Sequence, residues 1–162
     1  MRSCHLHLGS NQGDRKVNLG RALQKIDVSI GRIISSSALY ETAAWGVTDQ
    51  DDFINMAIEV ECYLKPRDIL KEINVIELEL GRIRDERWGP RLIDIDIILI
   101  GDIVVNDSRL TIPHRLMHER NFVLYPMVEI AADAVHPILN MTMRALLDSC
   151  TDDTSVNRIE NF

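Results

Sequence analysis

Two aspartates separated by one residue, Asp94 and Asp96, lie within an apolar run that ends at Ile100. Successive side chains of a β-strand point to opposite faces, so this spacing places both carboxylates on one face. Adjacent ionised carboxylates repel each other, and magnesium would remove that repulsion, since it binds one or two carboxylates together with water and substrate phosphates. An exposed sheet face whose aspartates pair with arginines remains an open alternative, because Asp-x-Asp is a common string.

An arginine-rich segment precedes this strand. Arg82, Arg84, Arg87 and Arg91 fall within the ten positions that follow Gly81. Glycine and proline interrupt the segment, which predicts a loop. The planar guanidinium group suits phosphate oxygens, so a loop of this kind beside a metal-binding strand indicates a polyphosphate substrate. A solvated loop whose arginines pair with neighbouring acids is the alternative.

Composition limits the class of protein. The 162 residues carry a formal charge of -7, which does not favour a nucleic-acid or anionic-membrane binder, because those functions need Lys and Arg to displace counterions. The three cysteines form no CxxC pair, so buried thiols are expected rather than disulfides or a zinc site. Without an apolar signal core or a run of roughly 18 apolar residues, the chain is expected to be cytoplasmic.

Side chains suited to a heterocycle occur in other segments. Phe53 and Asn55 fall on the polar face of a predicted strand, where an aromatic ring can stack and an amide can both donate and accept. His114, Arg120 and Phe122 follow the aspartate strand. His5 and His7 have no partners at useful spacing and are interpreted as structural. The turn from Gly9 to Lys16 lacks the glycine spacing of Walker A or dinucleotide loops, so it is interpreted as a turn and helix start.

Periodicity predicts the elements that position these residues. The predicted strands are Cys4 to Leu8, an extended segment Ile33 to Tyr40, Phe53 to Leu64 and Ile93 to Ile100, and the predicted helices are Val17 to Ile30 and Pro66 to Leu80. The order βαββαβ, with strands that have one markedly apolar face, favours an α+β two-layer sandwich of ferredoxin-like type. Its two helices leave one sheet face uncovered, where a site could be built.

The alternation also predicts which side chains share a face. Along the last predicted strand, Ile93, Ile95, Ile97 and Leu99 should lie on one side, with Asp94, Asp96, Ile98 and Ile100 on the other. One domain is expected over residues 1–162, since this length fits a domain of roughly 100–200 residues. The polar tail at about 151–162 is a candidate for fraying.

Taken together, these motifs resemble a known family, the 6-hydroxymethyl-7,8-dihydropterin pyrophosphokinases of folate biosynthesis. The matching segments are Leu8-Gly-Ser-Asn11, Tyr40-Glu-Thr42, Phe53-Ile-Asn55, Glu77 to Arg82, Arg87-Trp-Gly-Pro-Arg91, Asp94-Ile-Asp96 and Pro113-His114. The resemblance extends from about Leu6 to Pro137. It implies transfer of the β,γ-pyrophosphoryl group of ATP to the pterin hydroxymethyl group, with release of AMP, on a ferredoxin-like fold with two Mg2+ ions.

The resemblance also implies roles for individual residues. Asp94 and Asp96 would hold both metal ions, and Arg82 and Arg91 would assist the transfer. The implied nucleotide contacts are Arg84, Arg87, Trp88, Ile97, Arg109, Thr111, His114 and Arg120. The implied pterin pocket comprises Thr42, Ala43, Trp45, Phe53, Asn55, Trp88, Asp94 and Phe122, with Trp88 and Phe122 on either side of the bicycle.

Three positions depart from the family pattern. Ala43 stands where proline is frequent, Asp85 where a basic residue can occur, and Arg115 where a tyrosine often follows the histidine. These departures bear on nucleotide affinity and loop closure rather than on reaction type. Two other functions remain open: a small-molecule sensor that consumes no ATP, and an ordinary kinase or nucleotidyltransferase. The resemblance implies ATP and the pterin as substrates, and the protein is expected to be a monomer with no nucleic-acid or membrane partner.

Overall fold

The computed structural model describes residues 1–44, 50–82 and 91–159. The helices are α1 (Arg15–Ser29), α2 (Pro66–Glu79), α3 (Asn121–Ala131) and α4 (Met143–Ser149), and a 3-10 turn spans Met117–Glu119. The strands are β1 (Arg2–Ser10), β2 (Arg32–Ser36), β3 (Leu39–Thr42), β4 (Phe53–Cys62), β5 (Asp94–Ile100), β6 (Val105–Asn106), β7 (Thr111–Ile112), β8 (Val135–His136), β9 (Met141–Thr142) and β10 (Val156–Ile159).

One antiparallel sheet organises these elements. Its strand order is β10-β3-β4-β1-β5, and β2 also pairs with β4. The segment predicted as one extended stretch is divided into β2 and β3, which pair with successive parts of β4. The elements from β1 to β5 thus keep the predicted order of helices and strands.

Helices α1 and α2 contribute to a core that covers one face of the sheet. Asp14 caps the start of α1, since its side chain accepts a hydrogen bond from the backbone N–H of Val17 at 3.1 Å. Pro66 occupies the first turn of α2, a position that proline favours. The apolar stripe predicted on β4 lies in this core and consists of Ile54, Met56, Ile58, Val60 and Cys62. Burying a side chain of this size stabilises the fold by about 1.5–3 kcal/mol.

The opposite sheet face is partly covered by the C-terminal half of the chain. Helices α3 and α4 contribute Val123, Leu124, Met127 and Leu146 to a second cluster, which also contains Ala57 of β4. Beside the start of α3, a cleft lined by described residues opens onto this face. The uncovered face that we predicted is therefore smaller than the two-helix topology alone implies.

A bulge in β5 overturns part of the predicted alternation. The pairing with β1 shifts from His5↔Leu99 to Leu6↔Ile97, so Ile98 is an extra residue on β5. As a result Leu99 joins the second cluster, whereas Ile100 lies in the core on the helical face. The prediction for these two residues was wrong, because an inserted residue reverses the alternation beyond it.

The C-terminal tail contains a strand of the main sheet. β10 pairs with β3, and its register runs from Val156↔Thr42 to Ile159↔Leu39. The prediction of fraying was therefore wrong for Val156–Ile159. A short polar segment gives little local indication of pairing with a distant strand, because the partner lies more than 110 positions earlier in the sequence.

Two further expectations concern cysteines and membranes. Cys4 and Cys62 are buried free thiols, and Cys150 is partly buried and also free. In the described parts of the chain, no helix is long and apolar enough to cross a membrane.

Candidate active site

Three adjacent strands place an amide, a glycine and a carboxylate in one row across the sheet. Gly9 of β1 pairs with Asn55 of β4 on one side and with Asp94 of β5 on the other. A Cβ atom on Gly9 would lie 3.0 Å from Oδ1 of Asn55 and 3.5 Å from Cδ1 of Phe53. Because Gly9 has no side chain, the gap between the amide and the carboxylate stays open to the cleft that all three residues line.

Asn55 is held in one orientation. Its Nδ2 donates a hydrogen bond to Oγ1 of Thr42 at 2.8 Å, and both residues are buried. Oδ1 lies on the side of Gly9. The side chain can thus accept a hydrogen bond from a ligand in the gap, and the ring of the half-buried Phe53 lies beside it.

The second row contains His7 and Asp96, which are paired between β1 and β5. Burial raises the pKa of Asp96 to about 7, and the charge of Asp94 adds to this effect while Arg120 and Arg91 oppose it. The charged form of the Asp96 carboxylate is thus poorly solvated. A hard cation would stabilise that form, so the pair fits magnesium by donor type and charge.

Arg82 and Arg91 both form ion pairs with Asp94. Nη1 of Arg82 lies 2.7 Å from Oδ1 of Asp94, and Nη1 of Arg91 pairs with Oδ2. Arg82 also pairs with Glu77, a buried residue that accepts a hydrogen bond from the N–H of Ile95 at 2.9 Å. The two arginines that we predicted to assist transfer are thus beside the predicted metal ligands.

The end of α2 explains how Arg82 reaches this position. Gly81 adopts a left-handed conformation with a φ of 88°, which favours glycine. Its N–H donates to the carbonyl of Leu78, and the N–H of Arg82 donates to the carbonyl of Glu77 at 2.9 Å. This Schellman arrangement turns the chain back toward Glu77 and β5.

The start of α3 forms the opposite wall. Arg120 and Phe122 line the cleft, and Cζ of Arg120 lies 5.6 Å from the centroid of the Phe122 ring. Nε2 of His7 lies 3.2 Å from the carbonyl oxygen of Phe122. Burial lowers the pKa of His7 to about 4, so this imidazole is neutral at pH 7 and can donate that hydrogen bond.

Asn11 connects the two segments that border the cleft. Its Oδ1 accepts from the N–H of Arg91 at 2.7 Å, and its Nδ2 donates to Oε1 of Gln50 and to the carbonyl of Asp51, both at 3.0 Å. The described residues around the cleft are His7, Gly9, Ala43, Gln50, Phe53, Asn55, Arg91, Asp94, Asp96, Arg120 and Phe122. The cleft thus combines aromatic, amide, carboxylate and guanidinium groups in one place.

Comparison with known proteins identifies the family. A family model for 7,8-dihydro-6-hydroxymethylpterin-pyrophosphokinase matches residues 5–132. The chain belongs to this family. A 2-amino-4-hydroxy-6-hydroxymethyldihydropteridine pyrophosphokinase of Methylorubrum extorquens is 42% identical over 161 residues, which cover 99% of this chain and 100% of that protein. The pyrophosphokinase of the same name from Haemophilus influenzae is 40% identical and covers 85% of this chain and 86% of its own length.

Solved structures confirm the fold. A crystal structure of the Plasmodium falciparum HPPK-DHPS protein matches 91% of this chain with a TM-score of 0.73 and 18% identity. Our chain spans 43% of the length of that protein. This likeness establishes the α+β fold of the pyrophosphokinase family for our chain.

Several residues implied by the family resemblance meet in the cleft, and others lie elsewhere. Ile97 packs in the core on the helical face, away from Asp96. Arg109 is exposed in a separate groove against α2, together with Leu70, Asn74 and Leu110, and Thr111 is half-buried in β7. Trp45, Arg84, Arg87 and Trp88 lie outside the described residues.

His114 lies near the cleft but has a different environment. The backbone N–H of His114 donates to the carbonyl of Ile98 at 3.0 Å. Its ring Nδ1 accepts from the backbone N–H of Leu116 at 3.3 Å. Burial, together with the charge of Arg120, lowers the pKa of His114 to about 4, although Asp94 opposes the shift. His114 is therefore a neutral imidazole at pH 7 and adds no charge beside the cleft.

Two residues of the cleft and one beside it have roles that sequence reasoning missed. His7 was interpreted as structural, yet it lines the cleft and contacts Phe122. Gly9 and Asn11 were interpreted as part of a turn and helix start and as part of a matching motif. The register of β1 between β4 and β5 gives His7 and Gly9 their importance, and that register cannot be derived from β1 alone. Asn11 lies just beyond β1, and its contacts with Arg91 and Gln50 join segments that are distant in the sequence.

Among the described residues, the aspartate pair is the candidate donor set for a metal ion. Within residues 1–44, 50–82 and 91–159, no group of three or more His, Cys, Asp and Glu side chains is arranged to hold a metal ion. Two carboxylates nevertheless suffice for magnesium when water and substrate phosphates complete the coordination. The pair therefore suits a metal that is bound together with a polyphosphate.

Proposed function

We propose that this chain transfers the pyrophosphoryl group of ATP to the hydroxymethyl group of 6-hydroxymethyl-7,8-dihydropterin, forming AMP and the pterin diphosphate in folate biosynthesis. One observation supports the proposal: in the row Asn55, Gly9 and Asp94, an amide suited to a heterocycle lies across an open gap from one of the two aspartates. The names of full-length relatives, which are pyrophosphokinases of this pterin, agree with that geometry.

The pterin is proposed to lie in the gap above Gly9. Oδ1 of Asn55 would accept from a ring N–H or the exocyclic amine, while Thr42 holds the amide in place. Phe122 would contact one face of the bicycle and, as the family resemblance implies, Trp88 the other, while Phe53 would border the pocket. The family pattern adds Ala43, Trp45 and Trp88 to this pocket.

The metal site is proposed at Asp94 and Asp96. These carboxylates would hold two magnesium ions, whose contribution is to neutralise charge on the phosphates. The raised pKa of Asp96, caused by burial and by the charge of Asp94, supports a site that favours a cation. The ligands beyond these carboxylates would be water and phosphate oxygens.

The arginines are proposed to bind and orient the phosphates. Arg82 and Arg91 now neutralise Asp94, and both guanidinium groups could bind phosphate oxygens when a cation takes their place on that carboxylate. Arg120 would bind the triphosphate from the opposite wall. Transfer of this kind depends chiefly on alignment and charge stabilisation rather than on a strong base, so no general base is assigned.

The rest of the nucleotide is proposed to extend from the cleft toward α2. Arg109 and Leu110 border the groove against that helix, and Thr111 and His114 lie on the segment between the groove and the cleft. Arg84, Arg87, Trp88 and Ile97 complete the nucleotide contacts of the family pattern; for Ile97 the backbone is the available contact, since its side chain is in the core.

We further propose that residues 1–162 act as one domain, as a monomer in the cytoplasm. A six-stranded sheet that uses both β1 and β10 supports the single domain, because its strands come from both ends of the chain.

Product analysis tests the proposed function. The protein is incubated with ATP, MgCl2 and the hydroxymethyl dihydropterin, and the nucleotides and pterins are then separated by chromatography. AMP and a pterin diphosphate in equal amounts are expected. ADP with a pterin monophosphate would indicate an ordinary kinase, and unconsumed ATP would favour a sensor; either result would overturn the proposal.

A further inference from the structure

The C-terminal segment contacts the cleft wall formed by α3. Oδ2 of Asp152 accepts a hydrogen bond from the backbone N–H of Asn121 at 2.9 Å. The carbonyl oxygen of Asp152 accepts from Nδ2 of Asn121. Oδ1 accepts from the N–H of Thr154 at 3.0 Å, which orients the carboxylate. Asp152 therefore holds the first residue of α3 through both its side chain and its backbone.

This contact stabilises the beginning of the helix. The first N–H groups of a helix have no partner within it, and Arg120, which precedes α3, has no side-chain acceptor to offer. The carboxylate of Asp152 supplies the acceptor and a negative charge at the positive end of the helix. Burial opposes ionisation of this carboxyl, but hydrogen bonds from Thr154 and Asn121 and the charge of Arg120 lower its pKa.

The position of Asn121 connects this contact to the site. Asn121 lies between Arg120 and Phe122, which both line the cleft. The carbonyl of Phe122 also contacts His7 on β1. A shift of the Asn121 backbone would therefore move a guanidinium group and an aromatic ring relative to the sheet.

A second set of contacts connects the same C-terminal segment to β3, and again to α3. Val156 of β10 pairs with Thr42 of β3, the residue that orients Asn55. Arg158 forms an ion pair at 3.2 Å with Glu129 of α3. Oε2 of Glu129 accepts from the Tyr40 hydroxyl of β3 at 2.7 Å. The segment thus contacts both β3 and α3, one at each side of the cleft.

We propose that Asp152 is a positioning residue for the cleft: by fixing the start of α3, it sets the placement of Arg120 and Phe122 opposite Asn55. β10 completes this arrangement by binding β3 and α3 to each other. The effect on turnover rests on the proposed function, whereas the effect on the geometry of the cleft does not.

Three variants separate positioning from general stability. Asp152→Ala removes the acceptor and the charge, Asp152→Asn keeps one carbonyl oxygen for the Asn121 N–H, and Asp153→Ala removes the same charge from the neighbouring exposed residue. Each variant is checked by thermal unfolding and assayed well below its midpoint. The readouts are pterin affinity from pterin fluorescence, KM and kcat, hydrogen exchange of the Asn121 amide, and the NMR shifts of the His7 ring.

Asp152→Ala is expected to weaken pterin binding by about tenfold, the effect of losing one well-formed interaction. It should also remove the protection of the Asn121 amide and shift the His7 ring signals. Asp152→Asn should restore most of the affinity, and Asp153→Ala should match the wild type. If Asp152→Ala fails to fold, Asp152→Glu takes its place: the longer side chain displaces the acceptor from the Asn121 N–H, so it must speed exchange of that amide and weaken pterin binding measurably.

Three outcomes overturn the inference. In the first, Asp152→Ala lowers the melting temperature while pterin affinity and turnover stay at wild-type values. In the second, Asp153→Ala weakens pterin binding as much as Asp152→Ala does. In the third, the His7 ring signals of Asp152→Ala match those of the wild type. If the wild type itself neither binds the pterin nor turns over, the proposed function fails. The Asn121 exchange and the His7 shifts then still test whether Asp152 positions this wall.

Discussion

Nδ2 of Asn55 donates a hydrogen bond to Oγ1 of Thr42 over 2.8 Å, between two buried side chains on neighbouring strands. This contact determines which end of the amide faces the cleft. Since Nδ2 is engaged by β3, Oδ1 is left on the side of Gly9. A ligand in the gap therefore meets an acceptor, which suits the N–H donors of a pterin.

Replacing Thr42 by Val should disturb this orientation. The substitution removes the acceptor and leaves Nδ2 of Asn55 buried without its partner, at a cost of about 1–3 kcal/mol. We expect KM for the pterin to rise by about tenfold with little change in kcat, because the lost contact concerns binding. Thr42→Ser keeps the hydroxyl and should behave like the wild type; equal KM values for both variants would contradict the assigned orientation.

Replacing Gly9 by Ala should obstruct the gap. The added methyl would lie 3.0 Å from Oδ1 of Asn55, closer than ordinary van der Waals contact, so the amide or the backbone must shift. We expect pterin affinity to fall by about tenfold or more, with ATP affinity much less affected. Isothermal titration with each ligand measures the two effects, and a uniform loss for both ligands would count against a pterin site at Gly9.

Much of the arrangement around Asn55 could be predicted from the sequence. Alternation along β4 and β5 is a local property, so it placed Phe53, Asn55, Asp94 and Asp96 on the face opposite the apolar stripe. The predictions that were wrong failed for non-local reasons. The bulge at Ile98 depends on how β5 pairs with β1, and it reversed the faces of Leu99 and Ile100.

The role of His7 shows the same limit. Its spacing along β1 indicates only which face it occupies. Its place in the cleft depends on two distant residues. The carbonyl of Phe122 contacts its ring, and Asp96 pairs with it on the adjacent strand. Contacts between residues more than 80 positions apart leave no local signature in a single sequence.

Asp96→Asn should separate metal binding from folding. The amide keeps the shape of the side chain but loses the charge, so we expect turnover to fall by about 100-fold or more, because the charge stabilisation by metal is lost. A higher MgCl2 concentration should be needed for the residual rate. The exposed Asp102→Asn variant serves as control, and wild-type metal dependence in Asp96→Asn would contradict the assigned site.

The buried His7 should make stability depend on pH. Burial lowers its pKa from 6.5 to about 4 in the folded protein, so the unfolded chain binds more protons between these values. The free energy of unfolding should therefore decrease as the pH falls from about 6.5 toward 4. His7→Gln should lose this part of the dependence. Urea unfolding in magnesium-free buffer measures it, and parallel pH curves for the two proteins would show that His7 titrates normally.

The fate of the β-phosphate of ATP tests the central claim most directly. The wild-type protein is incubated with MgCl2, the hydroxymethyl dihydropterin and ATP that carries 32P at the β position. Pyrophosphoryl transfer predicts that the label leaves the nucleotide and appears in the pterin diphosphate, with unlabelled AMP as the second product. Label retained in ADP, or released as free pyrophosphate, would contradict the account.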